Sequence, residues 1–379
     1  MELVKRLGLL LSFLVLGFSM QGCSFRDPIH IGFVGPMTGR FSDLGVHGRN
    51  GAVLAVEAVN ASGGVNGHPF ELLIEDDEST VPGALAAVER LLSQGVRLVL
   101  GPMTTTQVSA VLPAVDQADG VCLSPTASSQ TLDARKDALF RMAPSDRFQV
   151  ELLAKRMLLD RRLRTLVIVW DADNEAYTRS YAEASAQAYV RRGGIVLAQH
   201  AFRSSVPGSW KHLAMPIFHA GSDAVLVVAS AKDTAYFCQW LAKQGVTAAL
   251  FTSFWARSPE LLLYGGRTVE GLELVSAVDF EDTSLTMKAF VDKYRQRFGK
   301  APNQAAVFSF EAVRLLERAM AQSLSTHLPL RETLLEDHHL VGLTGPLRLN
   351  SSGDRLLPSI VEALVQGRFQ VVYRAGETG

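Results

Sequence analysis

Residues 29–39 read IHIGFVGPMTG, and this stretch sets the first unit of the fold. Its first part, Ile29–Val34, is a short, largely apolar run that is typical of a buried strand. Gly35 and Pro36 then break the pattern, as these residues do at a turn. The rest of the chain repeats this unit, alternating short β-branched runs with longer amphipathic stretches. Such alternation predicts an α/β fold in which crossover helices join parallel strands.

The predicted strands fall into two sets, separated by the segment Phe140–Ser145. A further apolar run, Gly271–Ala277, is followed by two long helical stretches before strand patterns return at Leu347 and Ile360. This order predicts two α/β lobes, with the chain crossing between them several times. The two sets of strands are Ile29–Val34, Phe70–Glu75, Arg97–Leu100 and Val121–Ser124, and then Thr165–Trp170, Ile195–Gln199, Ala224–Val228 and Leu250–Ser253.

The composition of the 379-residue chain excludes several classes of protein. It is 47% hydrophobic and 20% charged, as expected for about two ordinary globular domains. With 37 basic and 38 acidic residues there is no positive excess to attract a nucleic acid. Three cysteines are too few for a disulfide scaffold or a cysteine-only zinc site. Two of them, Cys122 and Cys238, lie in apolar patterns and are predicted to be buried thiols.

The first residues have the pattern of an export signal. Lys5 and Arg6 precede the apolar run Leu7–Phe18, which is too short to span a bilayer. The segment Ser19–Cys23 resembles a bacterial lipobox, with Gly22 directly before Cys23. We therefore expect residues 1–22 to be a lipoprotein signal peptide, Cys23 to be lipidated, and residues 23–27 to form a tether to the membrane.

Residues typical of catalysis or of metal binding are not arranged in a recognisable way. The chain contains no dinucleotide-binding, P-loop, nucleophile-elbow or zinc-protease motif. The acidic run Glu75–Glu78 follows a predicted strand, where carboxylates also accept hydrogen bonds from turn and helix-start amides. We therefore expect no metal, no cofactor and no enzymatic activity.

Two hydroxyl-rich segments follow predicted strands, at the edge where open α/β sheets bind ligands. Gly101–Gln107 leads into an amphipathic helix, whose free amides and positive dipole end attract an anion such as a carboxylate. Ser124–Ser129 is the second such segment. Taken alone, the first also fits a threonine N-cap and the second an ordinary turn.

Several ordered segments together resemble the leucine/isoleucine/valine-binding family of type I periplasmic binding proteins. The resemblance extends over essentially the whole chain after the signal. The segments that carry it are Ile29–Gly39, Gly51–Asn60, Gly63–Gly67, Glu75–Asp77, Leu123–Ser128, Asn174–Tyr177 and Val269–Gly271.

The resemblance implies two doubly wound lobes, joined by three hinge crossings, that close on a ligand and serve an ATP-driven importer. The implied first lobe comprises residues 28–145 and 278–354, and the second comprises residues 146–277 and 355–379. Such a protein is exported to the cell envelope or periplasm. Its partners are a small amino acid or organic carboxylate and the permease subunits of the transporter. A sensory receptor that signals to a membrane partner by the same closure is the alternative.

The resemblance also assigns ligand-binding roles to individual residues. By position, Thr105 binds a ligand carboxylate through its hydroxyl and amide, Thr126 offers a backbone carbonyl, and Ser128 supplies a second hydroxyl. Tyr177 covers the ligand from the second lobe. Leu44 stands where the family often places an aromatic side chain against the ligand.

One position departs from the family pattern in a way that affects the ligand. Where the branched-chain amino-acid binders have an acidic residue that pairs with the ligand ammonium, this chain has Trp255. A buried ammonium without a carboxylate partner is costly. Either Asp171, Asp173 or Glu175 replaces the missing acid, or the ligand carries no ammonium. Trp255 and Tyr177 favour an apolar or aromatic carboxylate.

Overall fold

The computed structural model describes residues 26–374. The predicted signal peptide and the lipidation site Cys23 therefore lie outside the described residues. Within that range the chain forms two main sheets, each packed between helices, and a small two-stranded sheet.

The first sheet is built from residues 29–141 and is entirely parallel. Its strands are β1 (Ile29–Gly35), β2 (Phe70–Asp76), β3 (Leu98–Leu100), β4 (Val121–Ser124) and β5 (Leu139–Arg141). They lie in the order β2-β1-β3-β4-β5, which places the middle of the sheet at β3. The helices that connect them are α1 (Ser42–Ala61), α2 (Val81–Ser93) and α3 (Thr105–Gln117).

The second sheet combines residues 165–276 with the last two strands, in the order β14-β13-β10-β9-β8-β6-β7. Its strands are β6 (Thr165–Asp171), β7 (Ile195–Phe202), β8 (Ala224–Val228), β9 (Ala249–Thr252), β10 (Glu273–Ser276), β13 (Ile360–Val365) and β14 (Arg368–Arg374). Its helices are α4 (Arg147–Lys155), α5 (Glu175–Arg191), α6 (Ala214–Ala220), α7 (Ala231–Lys243) and α8 (Pro259–Gly265).

The long helices between the two parts of the second sheet pack on the first. They are α9 (Leu285–Phe298), α10 (Gln304–Thr326) and α11 (Leu330–Thr333), and the hairpin β11 (Val341–Gly342) and β12 (Gly345–Pro346) follows them. Gly51 of α1 lies against the backbone of Ala306 in α10, so close that a Cβ at Gly51 would come within 2.0 Å of the Ala306 carbonyl oxygen. The small residue therefore lets α10 dock onto the first lobe.

Side-chain caps define where most of the long helices begin. Thr80, Thr104, Ser230 and Ser284 each accept a hydrogen bond from the amide three residues later, and Asn303 accepts from the amides of residues 305 and 306. Each cap satisfies an amide that has no partner inside its helix. The helices that connect parallel strands are thereby fixed at the carboxyl edge of the sheet.

The structure confirms the two doubly wound α/β lobes and corrects some details of the prediction. Phe140–Ser145 was expected to lie between the two sets of strands, but it begins inside β5, a run too short to recognise in sequence. Leu347 is not in a strand, since β12 ends at Pro346. Strands β13 and β14 pair antiparallel. The boundaries given above for the two lobes stay a prediction.

A buried arginine ties the first sheet to the segment that returns to the second. The guanidinium of Arg141 is fully buried and donates to Asp354 (2.7 Å), to Asp133 (2.8 Å) and to the carbonyl of Ser129 (2.9 Å). The amide of Arg141 also donates to the carbonyl of Gly353 at 2.8 Å. These bonds hold the end of β5 against Gly353 and Asp354, which precede the last crossing to the second sheet.

We predict that Arg141→Met destabilises the protein by about 3–5 kcal/mol, because it leaves two carboxylates without their buried partner. Urea unfolding followed by circular dichroism measures the change. Arg135→Met is the matched control, since Arg135 pairs with Asp137 at the surface and its loss should cost less than about 1 kcal/mol. Equal losses in the two variants would show that the Arg141 cluster does not hold the lobe together.

Candidate functional site

The six residues that the sequence places at a ligand site line one cavity between the two lobes. The free volume of this cavity is about 20 Å³, so the surrounding side chains nearly fill it. Its wall consists of Leu44, Thr105, Thr126, Ser128, Tyr177 and Trp255, together with Met103, Thr104, Asn174, Phe254 and Gln304.

The cavity lies where the carboxyl ends of the parallel strands of both sheets meet. Thr105 follows β3 and Ser128 follows β4, while Tyr177 follows β6 and Trp255 follows β9. Loops after parallel strands converge at this edge, so residues far apart in the sequence come together there. The arrangement brings side chains from both lobes to one cavity.

The first wall is the buried N-terminus of α3. Thr104 is the N-cap and accepts a hydrogen bond from the Gln107 amide at 3.4 Å. Thr105 is the next residue and is only 2% exposed. Among the hydrogen bonds formed within residues 26–374, none uses the amide or the hydroxyl of Thr105. These two donors are therefore available to an anion at the positive end of the helix.

Hydrogen bonds to neighbouring segments fix the loop after β4. The Thr126 hydroxyl donates back to the carbonyl of Met103. The carbonyl of Ser128 accepts a hydrogen bond from the amide of Asp146 at 2.8 Å. Ser128 and Thr126 both line the cavity.

Aromatic rings form the opposite wall. Trp255 packs edge-on against Phe41 from the first lobe, with ring centroids 5.1 Å apart, and against Tyr177 at 6.0 Å. Burial raises the pKa of the Tyr177 phenol, so it stays neutral. The wall is thus apolar, with one hydroxyl that reaches toward Ser128 and Ser253.

None of the three acids considered as replacements for the missing ammonium partner lines the cavity. Asp171 is buried and accepts hydrogen bonds from the amide and the hydroxyl of Ser204. Asp173 pairs with two arginines, and Glu175 pairs with Arg179 at the surface. Across the part of the chain that the structure describes, the cavity wall contains no charged side chain.

Sequence reasoning missed several residues of this wall. Asn174 belongs to a segment that carried the family resemblance, but only Tyr177 in that segment was expected at the ligand. Phe41, three positions before Leu44, does not line the cavity but packs against Trp255, which does. Gln304 begins α10, far along the chain, and its buried Oε1 has no hydrogen-bond partner. No local pattern distinguishes Gln304 from other residues at the start of a helix.

The carboxylates of Glu75 and Asp76, at the end of β2, are bound by neighbouring protein groups. Asp76 accepts hydrogen bonds from the amides of Met37 and Glu78, and Glu75 pairs with Arg90. Between residues 26 and 374, no group of three or more histidine, cysteine, aspartate or glutamate side chains is arranged to hold a metal ion.

Comparison with known proteins identifies the family of the chain. Residues 28–353 match the model of a family described as periplasmic binding protein. The chain belongs to this family. A Leu/Ile/Val-binding protein homolog from Brucella melitensis is 25% identical over 254 residues, which cover 66% of this chain and 68% of that protein.

Solved structures share the fold of this periplasmic binding protein. A leucine binding protein from Thermotoga maritima superposes with a TM-score of 0.84 at 20% identity, covering 91% of this chain and 98% of that one. An ABC transporter solute binding protein from R. palustris, in complex with benzoate, gives a TM-score of 0.83 at 16% identity, covering 92% and 96%.

In this periplasmic binding protein, contacts across the cleft hold the two lobes together. Arg40 of the first lobe donates to Asp173 (2.5 Å) and to Ser204 (2.9 Å) of the second. The Thr106 hydroxyl donates to Asn174 at 3.0 Å. These bonds flank the cavity and describe a closed conformation.

A further contact across the cleft joins His47 in α1 to Glu260 in α8. The Tyr294 hydroxyl lies 2.7 Å from Nδ1 of His47, and Nε2 lies 3.4 Å from Glu260. A neutral ring with its proton on Nε2 satisfies both neighbours, and burial lowers the pKa of His47. The imidazole therefore completes the closed interface without a net charge of its own.

We predict that Arg40→Ala weakens closure by about 1 kcal/mol, or about fivefold in the ratio of closed to open molecules, because it removes a partly exposed ion pair across the cleft. Electron-resonance distance measurements, with one spin label on each lobe, report that ratio. Arg203→Ala is the control, since Arg203 contacts the same Asp173 from within the second lobe. If both variants open equally, the effect comes from Asp173 itself and not from the contact across the cleft.

Proposed function

We propose that the protein is the extracytoplasmic solute-binding lipoprotein of an ABC importer of the branched-chain amino-acid type. Its family, shown above, supports reversible binding of a small solute. The observation that carries the proposal is a closed cavity between the lobes, with the unpartnered amide and hydroxyl of Thr105 in its wall. The ligand is a small amino-acid-like or carboxylate molecule, captured as the hinge closes.

In this proposal the carboxylate of the ligand lies at the N-terminus of α3. Thr105 donates from its amide and its hydroxyl, and Ser128 adds a second hydroxyl. The backbone carbonyl of Thr126 accepts from the ligand or from a bridging water. Hydrogen bonds to a charged group are stronger than neutral ones, and a dry cavity strengthens them further.

The rest of the ligand packs against apolar side chains. Tyr177 and Trp255 cover it from the second lobe, and Leu44 contacts it from the first. The free volume between these side chains is about 20 Å³, less than a ligand needs, so in the proposal the lobes part to admit it and then close around it. The R. palustris protein of the same fold, which holds benzoate, shows that this architecture accommodates a small aromatic acid.

The groups around the cavity favour binding without chemical conversion. They are hydroxyls, amides and aromatic rings, and none of them forms a nucleophile–base pair. Closure follows from differential affinity, because the ligand gains contacts from both lobes only when they meet. We therefore propose a receptor and not an enzyme.

Transport by this receptor needs a membrane partner and an anchor. In the proposal, the permease subunits of the importer recognise the closed lobes, and Cys23 carries the lipid. The other two thiols are buried and form no disulfide, and burial raises the pKa of each to about 12. No helix within residues 26–374 is both long and apolar enough to cross a membrane.

We predict that Thr105→Val weakens carboxylate binding by about 10- to 100-fold, because a hydrogen bond to a charged group contributes roughly 1.5–3 kcal/mol. Isothermal titration of the full chain with leucine, phenylalanine and the same two acids without their amino group measures the affinity. Thr131→Val is the matched control, since Thr131 is exposed and lies outside the cavity. Binding that is unchanged in Thr105→Val would place the carboxylate elsewhere.

We also predict that Cys23→Ser abolishes the incorporation of radiolabelled palmitate in a bacterial host and moves the protein from the membrane to the soluble envelope fraction. Cys238→Ser serves as the control and should leave labelling unchanged, because Cys238 is buried in α7. Labelling that persists in Cys23→Ser would overturn the lipoprotein assignment.

A further inference from the structure

The cavity wall offers an anion site and no cation site. Thr105 supplies two free donors at the positive end of α3, whereas every side chain in the wall is neutral. An amino acid carries both a carboxylate and an ammonium. A closed site for such a zwitterion needs an acceptor with negative charge, because an ammonium removed from water without one is strongly destabilised.

The acids in the neighbouring loops are already engaged. Asp171 accepts from Ser204, and Asp173 accepts from Arg40 on one side and from Arg203 on the other. Turning either carboxylate toward the cavity would break these bonds. In the case of Asp173, it would also break the contact that closes the cleft.

Asp146 is another buried acid near the site, and Asp43, directly before the lining residue Leu44, does not line the cavity. The Oδ1 of Asp146 accepts the amide of Gln130 at 3.0 Å, while its Oδ2 has no hydrogen-bond partner. Asp146 does not line the cavity. Together with burial, its charge contributes to the raised pKa of Tyr177, whose side chain does line the cavity. Burial raises the pKa of Asp146 to about 7, so below that pH the carboxyl is protonated and offers no charge to an ammonium.

The second lobe faces the cavity with aromatic side chains that include Tyr177, Phe254 and Trp255. Trp255 is 9% exposed, and its ring is held edge-on by Phe41 from one lobe and by Tyr177 from the other. An ammonium against this wall would find no negatively charged acceptor among the lining side chains. A hydrocarbon group would instead be buried favourably.

We propose that the ligand is an apolar monocarboxylate without an α-ammonium group, branched aliphatic or aromatic, and that Trp255 determines this specificity by excluding amino acids. The inference rests on the proposed function, because it assumes a carboxylate at Thr105. It adds the chemical class of the ligand and the residue that selects it.

The test compares matched pairs of ligands on the full chain by isothermal titration at pH 6 and pH 8. The pairs are 4-methylpentanoate with leucine, and 3-phenylpropanoate with phenylalanine; within each pair the carbon skeleton is the same and only the ammonium differs. We expect at least one acid to bind about tenfold or more tightly than its amino acid. A smaller difference, or tighter binding of the amino acid, overturns the inference and leaves the proposed carboxylate receptor intact. If no member of either pair binds, the proposed function fails together with the inference.

Three substitutions identify the residue responsible. Trp255→Glu restores an acid at the site and should shift the preference toward the amino acid by about tenfold or more, whereas Trp255→Leu keeps the wall apolar and should not. Asp146→Asn should leave the preference of the wild-type chain unchanged at both pH values. Loss of amino-acid binding in Asp146→Asn would assign the ammonium to Asp146 and contradict the role given to Trp255. Because the wild-type pairs already test the ligand class, poor folding of a variant leaves that result standing.

Discussion

The free amide and hydroxyl of Thr105, at the buried start of α3, are the interaction on which the rest of the site depends. A helix end removed from water without partners is costly, so its exposure to an enclosed cavity calls for an anion. The loop that presents it is set by Gly101, whose φ is +117°. A Cβ there would lie 2.0 Å from the carbonyl oxygen of Val34. The close packing of β3 on β1 therefore fixes where the donors point.

The two lobes contribute different kinds of groups to the closed cleft. The first lobe provides polar groups on rigid strand ends, and the second provides aromatic rings that cover them. Arg40 and Thr106 reach across the cleft to Asp173 and Asn174, and their bonds lie beside the ligand cavity. A ligand that fills the cavity adds contacts to an interface that is already complementary, so modest ligand contacts suffice to favour the closed state.

Much of this architecture could be predicted from the sequence, because parallel strands and their connecting helices leave clear periodic patterns. The same logic brought the segments that contain Thr105 and Ser128 to one cavity, because both follow strands whose carboxyl ends meet; their roles in ligand binding stay a prediction. Gln304 could not be found in this way, since it enters the cavity from the start of a distant helix. Phe41 was missed because tertiary packing, and not the local pattern, decides which ring touches Trp255. Strand β5 escaped notice because three residues give too short a pattern.

A crystal structure of the full chain with 4-methylpentanoate tests the central claim most directly. The account predicts a closed cleft in which both carboxylate oxygens lie within hydrogen-bond distance of Thr105 or Ser128, with the hydrocarbon chain against Trp255. A carboxylate directed instead toward Asn174 or Gln304, with Thr105 left unoccupied, would contradict it.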